Sequence, residues 1–154
     1  YTDDYLRLIF DQVNTIAIVG ASTHWNRPSY FVMKYLQRKN FRVIPVNPGS
    51  AGKELMGELI VDRLGAIKER IDMVDIFRHS SEAGAITDEA IILGASVVWM
   101  QIGVRDEQAA ARAEAAGLKV IMSRCPKIEY SRLNGELGWH GFNSGLITSR
   151  RRRL

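Results

Sequence analysis

The sequence predicts an α/β fold in which a mostly parallel, five-stranded sheet is doubly wound between two layers of helices, and three observations lead there. Short apolar runs alternate along the chain with longer amphipathic stretches, a pattern of β-α-β units rather than of hairpins. The first run, Thr15 to Val19, is apolar at nearly every position, as a strand buried on both faces requires. It ends abruptly in Gly20-Ala21-Ser22; Pro28 and Ser29 then suit a first helical turn, and apolar residues recur at helical spacing to Gln37.

The other elements follow in order. Tyr5, Leu6, Leu8, Ile9 and Val13 form one face of a predicted helix whose early Asp3 and Asp4 suit its amino end. Phe41 to Val46 is the second strand, with Pro45 marking an interrupted ladder, and Asn47 to Lys53 is a loop of turn residues. Glu54 to Val61 is ambiguous between a short strand and a turn, and Asp62 begins a predicted helix through about Arg70. Asp72 to Phe77 is the third strand, and Ser80 opens a helix that runs to Leu93 and stops at Gly94-Ala95. Ser96 to Met100 is the fourth strand. Asp106 caps an alanine-rich helix through Ala116, Gly117 ends it, and Leu118 to Met122 is the fifth strand. Right-handed crossovers suggest the strand order 3-2-1-4-5, with a crevice between strands one and four. Residues 1–133 thus read as one domain with an N-terminal helix, and the glycine-rich residues 134–154 as a C-terminal appendage ending in a basic tail.

Composition narrows the function classes. The 154 residues are 46% hydrophobic and 25% charged, which suits a globular chain with a substantial core. No apolar stretch approaches the roughly 20 residues of a membrane helix, and the amino end lacks the pattern of a secretory signal, so a cytoplasmic location and no membrane partner are expected. Cys125 is the only cysteine, which rules out an internal disulfide framework and a cysteine-rich zinc site; no metal site is predicted. The formal charge is +4, and Arg150 to Arg153 alone carry that much. The rest is near neutral, so a nucleic-acid partner is disfavoured.

The small-residue loop after the first strand, with a helix amino end beyond it, is suited to a phosphate and hence to a nucleotide-like ligand. Gly20-Ala21-Ser22 lacks the three glycines of a dinucleotide fingerprint, and Val46-Asn47 offers no carboxylate for a ribose. Gly49 to Lys53 is not a P-loop, since neither the full spacing nor a Ser or Thr after the lysine is present.

Five ordered segments, GASTHWNRPSYFVMKYL, VIPVNPGSAGKELMG, DIFRHSSEA, VVWMQIGV and SRCPKIEYSRL, together resemble the small CoA-binding domain family. The resemblance covers Thr15 to Leu133 and extends, more distantly, to the CoA-binding domain of the succinyl-CoA synthetase α subunit. It implies a Rossmann-like fold with CoA or an acyl-CoA as bound ligand. Gly20, Ala21 and Ser22 are then expected to offer backbone and hydroxyl donors to the diphosphate, with Arg27 beside Pro28 adding charge. Val46, Asn47 and Pro48 are expected to contact the adenosine portion, and Ser50 or Lys53 its phosphate. Phe77 is expected against adenine or pantetheine and Arg78 against phosphate, while Gln101, Ile102 and Gly103 form the fourth-strand contact. Each has a plainer role open to it: core packing for Phe77, ion pairs or exposure for Arg78 and Arg27, and an ordinary strand-to-helix turn for residues 101–103.

No catalytic constellation emerges. The synthetase subunit's phosphorylated histidine lies on a second domain for which these residues leave no length, so His24, His79 and His140 inherit no catalytic role. Cys125 has no evident histidine and acid partner and reads first as a buried structural thiol; beside basic residues and a thiol-bearing ligand, reversible disulfide exchange is the sharper expectation. The leading expectation is noncatalytic binding of CoA or acyl-CoA for sensing, storage or delivery. A CoA-binding component of a ligase or transferase with its catalytic groups on another chain is one alternative, and an NADP-binding oxidoreductase, against which the glycine pattern speaks, is another. A protein partner or a homodimer through the appendage is compatible with either binding role.

Overall fold

The computed structural model describes residues 1–136. Five helices, α1 (Asp3–Gln12), α2 (Pro28–Arg38), α3 (Ser80–Leu93), α4 (Glu107–Ala115) and α5 (Pro126–Leu133), accompany strands β1 (Thr15–Val19), β2 (Arg42–Val46), β5 (Met73–Ile76), β6 (Val97–Met100) and β7 (Lys119–Ile121). These strands form a single sheet, all parallel, in the order β2-β1-β5-β6-β7. Caps fall where short polar residues and glycine allow them. Thr2 and Asp106 accept backbone N–H bonds at the starts of α1 and α4, Pro28 opens α2, and Gly94 closes α3 with φ at +78°.

This order corrects the expected one. The third main strand, β5, lies at the centre, between β1 and β6, where the sequence suggests an edge. All four of its residues are buried, which needs a neighbour on each side. β2 suits the edge instead: Arg42 is exposed, and the N–H that Pro45 lacks would face outward, on the side where its carbonyl accepts from Val61. The crevice accordingly lies between β1 and β5 rather than between the first and fourth strands.

The helix predicted from Asp62 to about Arg70 is also corrected, to one 3₁₀ turn over Leu64–Ala66. Leu64, Ile67 and Ile71 mimic helical spacing, but Gly65 weakens a helix and the intervening Lys68, Glu69 and Arg70 have no face to bury. Glu69 instead holds Arg42 through two hydrogen bonds. The ambiguous stretch before it is a hairpin, β3 (Glu54–Leu55) with β4 (Glu58–Leu59), turned by Met56 and Gly57, both at positive φ. Helix α5 stands where the sequence predicts no element.

The two faces of the sheet are packed differently. On one, Phe10, Phe41, Trp99 and Tyr130 interlock, with the Phe10 and Tyr130 rings edge to face at 5.1 Å, beneath α1, α2 and α5. On the other, Ala83, Ala90, Ala109, Ala110 and Ala113 let α3 and α4 close tightly on the strands. Both edges are partly covered. Val61 bridges to Val46 outside β2, while the outer amides of Val120 and Met122 donate to the hydroxyls of Tyr5 and Tyr1, at 3.2 and 2.8 Å. Past α5, Glu136 returns to the helical layer, ion-paired with the buried Lys39 and accepting from the Tyr35 hydroxyl at 2.8 Å. The rest of the expected appendage, with His140 and Arg150 to Arg153, lies outside the described residues.

Candidate functional site

A parallel sheet delivers all its strand-to-helix loops to one rim, and here the direction in which strands are added to the sheet reverses between β1 and β5, so the loops there diverge. Over that rim lies a cavity of about 1030 Å³. Pro28, Phe31 and Val32 of α2 form one wall, and Lys127 and Ile128 of α5 the wall beside it. Phe77 to Ser80 after β5 and Gln101 to Val104 after β6 supply the floor and far side, and Cys125 closes the corner before α5.

Inside this mostly apolar space the polar groups are few. Gln101 is only 6% exposed, and its side-chain oxygen Oε1 is buried without a hydrogen-bond partner among the described residues. Its backbone is engaged, the N–H with Ile76 O at 3.2 Å and the carbonyl with Val104 N at 2.8 Å, so the loop holds the side chain in place. Gly103 takes φ of +85°, with its N–H on Ser123 Oγ at 3.2 Å, and Ile102 stands 60% exposed at the rim. Arg78 donates to Glu82 at 2.8 Å, and that hydrogen bond holds the Glu82 carboxyl below its usual range. Lys127 lies 5.9 Å from the Phe31 ring, a cation over an aromatic face. Two residues before Phe77 on β5, and so on the same face, Asp75 is fully buried between Ile18 and Trp99, with neither carboxyl oxygen partnered among the described residues. Burial pushes its carboxyl well above the usual range.

Of the predicted ligand residues, Pro28, Phe77, Arg78, Gln101, Ile102 and Gly103 share this cavity. The others form an adjoining ledge where the loops after β1 and β2 are bonded together. Gly20 and Ala21 both donate to Val46 O, at 2.8 and 3.2 Å, and Asn47 Nδ2 donates to Ala21 O at 2.8 Å. Ser22 N–H donates to Ser29 Oγ, and Ser22 Oγ accepts from His24 N. The main-chain amides of Gly20, Ala21 and Ser22 thus have acceptors within these loops and at the start of α2. The Ala21 and Val46 side chains are buried in the core. What the ledge leaves outward is the side chain of Arg27, exposed and without an ion pair among the described residues, together with exposed Pro48 and Lys53 and half-buried Ser50. Gly20 is required by the fold: its φ is +93°, and a Cβ there would sit 2.7 Å from the carbonyl oxygen of Phe77.

The α5 contribution to the cavity is what the sequence does not foretell. Its one signal is Pro126 directly after Cys125, a helix-opening proline following the last strand. No group of three or more His, Cys, Asp and Glu is placed to hold a metal ion among the described residues.

Comparison with known proteins agrees with this architecture. The family model described as a CoA binding domain matches residues 14–131. The uncharacterised protein YneT of Bacillus subtilis is 32% identical over 126 residues, which cover 82% of this chain and 92% of that protein. The solved structure of cell-free ID.343 from Thermus thermophilus is 37% identical with a TM-score of 0.82, covering 86% of this chain and 99% of that one. A hypothetical protein of Pyrococcus horikoshii OT3 is 35% identical at a TM-score of 0.83, covering 88% and 94%. The dinucleotide-forming acetyl-coenzyme A synthetase 1 of Ca. Korarchaeum cryptofilum shares the fold alone, at 22% identity and a TM-score of 0.60, over 77% of this chain and 27% of that one.

Proposed function

The chain belongs to the family of CoA binding domains, and from that membership we propose that it binds CoA or an acyl-CoA along the carboxyl rim of its sheet, as a binder or carrier rather than as an enzyme. The observation that carries this reading is the mostly apolar cavity over the rim, lined by Phe31, Val32, Phe77, Gln101 and Val104, beside a ledge that leaves Arg27, Ser50 and Lys53 outward. The pantetheine arm of CoA has two amides and apolar stretches between them, which suits a cavity walled by Phe31, Val32 and Val104. The nucleotide end lies on the ledge in this reading, with Arg27, and Lys53 or Ser50, toward its phosphates and Arg78 at the junction. When bound, CoA supplies a thiol that carries acyl groups as thioesters. Gln101 and Phe77 orient the arm, and the apolar walls keep water from it.

An NADP-type ligand fits less well. The Asn47 side chain at the end of β2 is spent on Ala21 O and Gly49 N, and no carboxylate is available there for a ribose.

Calorimetry of the full chain with CoA, acetyl-CoA and NADP tests the proposal. CoA or acetyl-CoA is expected to bind at least about tenfold more tightly than NADP, a difference of about 1.4 kcal/mol; binding of NADP alone, or of none of the three, overturns it. Gln101→Leu is expected to weaken CoA, since it alters the cavity wall, without lowering the stability of the free protein, since it removes an orphaned acceptor. Unchanged affinity in that variant removes Gln101 from the site.

A further inference from the structure

We propose that the acyl group selected by this site carries a free carboxylate, held by Lys127 in the cavity wall, so that the preferred ligand is a CoA thioester of a dicarboxylic acid. This rests on the reading of the cavity as a CoA site and goes beyond it by naming the class of acyl group.

Charge in the cavity is one-sided. Arg78, His79 and Lys127 line it, and no Asp or Glu does so among the described residues. Arg78 is spent on Glu82, at 2.8 Å. Half-buried Lys127 has no carboxylate within ion-pair distance among the described residues: Glu129, on the same helix, is taken by Arg132, and Glu136 by Lys39. Two aromatic rings place the lysine instead. Its Nζ lies 5.9 Å from the centroids of both Phe31 and Tyr35, which are one turn apart on α2. Such faces attract a cation without neutralising it. Because Phe31 is itself a wall of the cavity, the ammonium is kept beside that wall although its stem is flexible.

CoA itself leaves this charge unmatched. Its phosphates lie on the ledge in the proposed reading, near Arg27 and Lys53, and its pantetheine arm is neutral. A short acyl group such as acetyl is neutral too. What brings a negative charge to Lys127 is an acyl group that ends in a carboxylate. The topology agrees: the ledge is built on β1 and β2, whereas α5 follows β7, three strand spacings or about 14 Å from β1. An arm that starts at the ledge and lies across the rim presents its thioester end toward the α5 side. There the carboxylate meets the ammonium in a concave, mostly apolar site, where the pair is screened less than on an open surface. A methyl-ended acyl group of the same length gains no such contact.

Calorimetry of the full chain with matched thioesters reads this directly: malonyl-CoA against propionyl-CoA, and glutaryl-CoA against valeryl-CoA, with CoA itself in parallel. Within each pair the chain length is the same and only the terminal carboxylate differs. In at least one pair the carboxylate-bearing thioester is expected to bind at least about fivefold more tightly at low salt, with the preference shrinking as salt is raised. Lys127→Gln is expected to bring that ratio close to one, and Lys127→Arg to keep most of it. Arg27→Gln, on the ledge, is expected to weaken both members of a pair alike and to leave the ratio standing. If CoA binds but neither pair shows a preference, the acyl assignment is overturned and the CoA site stands. It is also overturned if Lys127→Gln weakens CoA as much as the dicarboxylic thioesters, which would put the lysine on a phosphate. If none of these ligands gives a heat of binding, the CoA reading falls, and this inference falls with it.

Discussion

A carboxylic acid in the middle of a buried sheet has no water to ionise into, and burial raises the Asp75 carboxyl well above its ordinary value of 3.8. The sign of the consequence follows from comparing the two states. Below that ordinary value the folded and unfolded chains both hold the proton. Between it and the raised folded value only the unfolded chain ionises, so stability falls as pH rises, by up to about 1.4 kcal/mol for each pH unit. Urea denaturation of wild type and Asp75→Asn at about pH 5 and about pH 8 checks this: wild type is expected to lose stability relative to the variant at the higher pH, and parallel profiles would refute it. Gly20 makes a second case at this scale. Gly20→Val is expected to destabilise the fold by about 1–3 kcal/mol in the same assay, since it meets both the Phe77 carbonyl and a positive φ. A loss of CoA affinity in that variant would therefore say little about phosphate approach. The sequence locates the strand-end loops well, because small residues and turn formers mark them. It does not reveal that the Gly20 and Ala21 amides both donate to Val46 O, because hydrogen bonds between loops far apart in sequence leave no local pattern.

Helix α5 decides more than its length suggests. Tyr130 is fully buried against Phe10, Phe41 and Tyr35, and the amino end of the same helix puts Cys125, Lys127 and Ile128 on the cavity. Trp99 ties its approach to the sheet, donating to Arg124 O at 2.9 Å. Tyr130→Ala is expected to cost about 3–5 kcal/mol of stability, measured by chemical denaturation, because no neighbouring side chain can refill the space of a ring. A loss under about 1 kcal/mol would mean that α5 is not part of the core. Most elements are legible in the sequence, since strand runs and helix faces announce themselves by period and by caps such as Asp106, Gly94 and Gly117. The failures share a cause. The spacing of Leu64, Ile67 and Ile71 is helical in the sequence but is met in space by one turn and an extended approach to β5. Strand order is likewise set by which segments need two neighbours, and Pro45 and the full burial of β5 carry that information only once both are weighed.

The molecule as a whole divides into a supporting half and a working half. Amides of β1, β5 and β6, paired on both sides within the sheet, are expected to exchange hydrogen most slowly. Added CoA is expected to slow exchange further in residues 77–80 and 101–105 and to leave α1 unchanged; protection confined to the opposite rim would place the ligand elsewhere. The alanine-faced helices α3 and α4 and the aromatic layer over the other face reach the core by different means, and both leave the strand ends free for loops. The closure of the two flanks reaches past this chain. With Val61 bridged to the end of β2, and with the hydroxyls of Tyr5 and Tyr1 occupying the amides of Val120 and Met122, each margin loses part of the ladder that a neighbouring molecule could extend. Among the described residues, this disfavours edge-to-edge stacking of copies into ribbons and leaves helices, hairpin and loops as the better surfaces for contact.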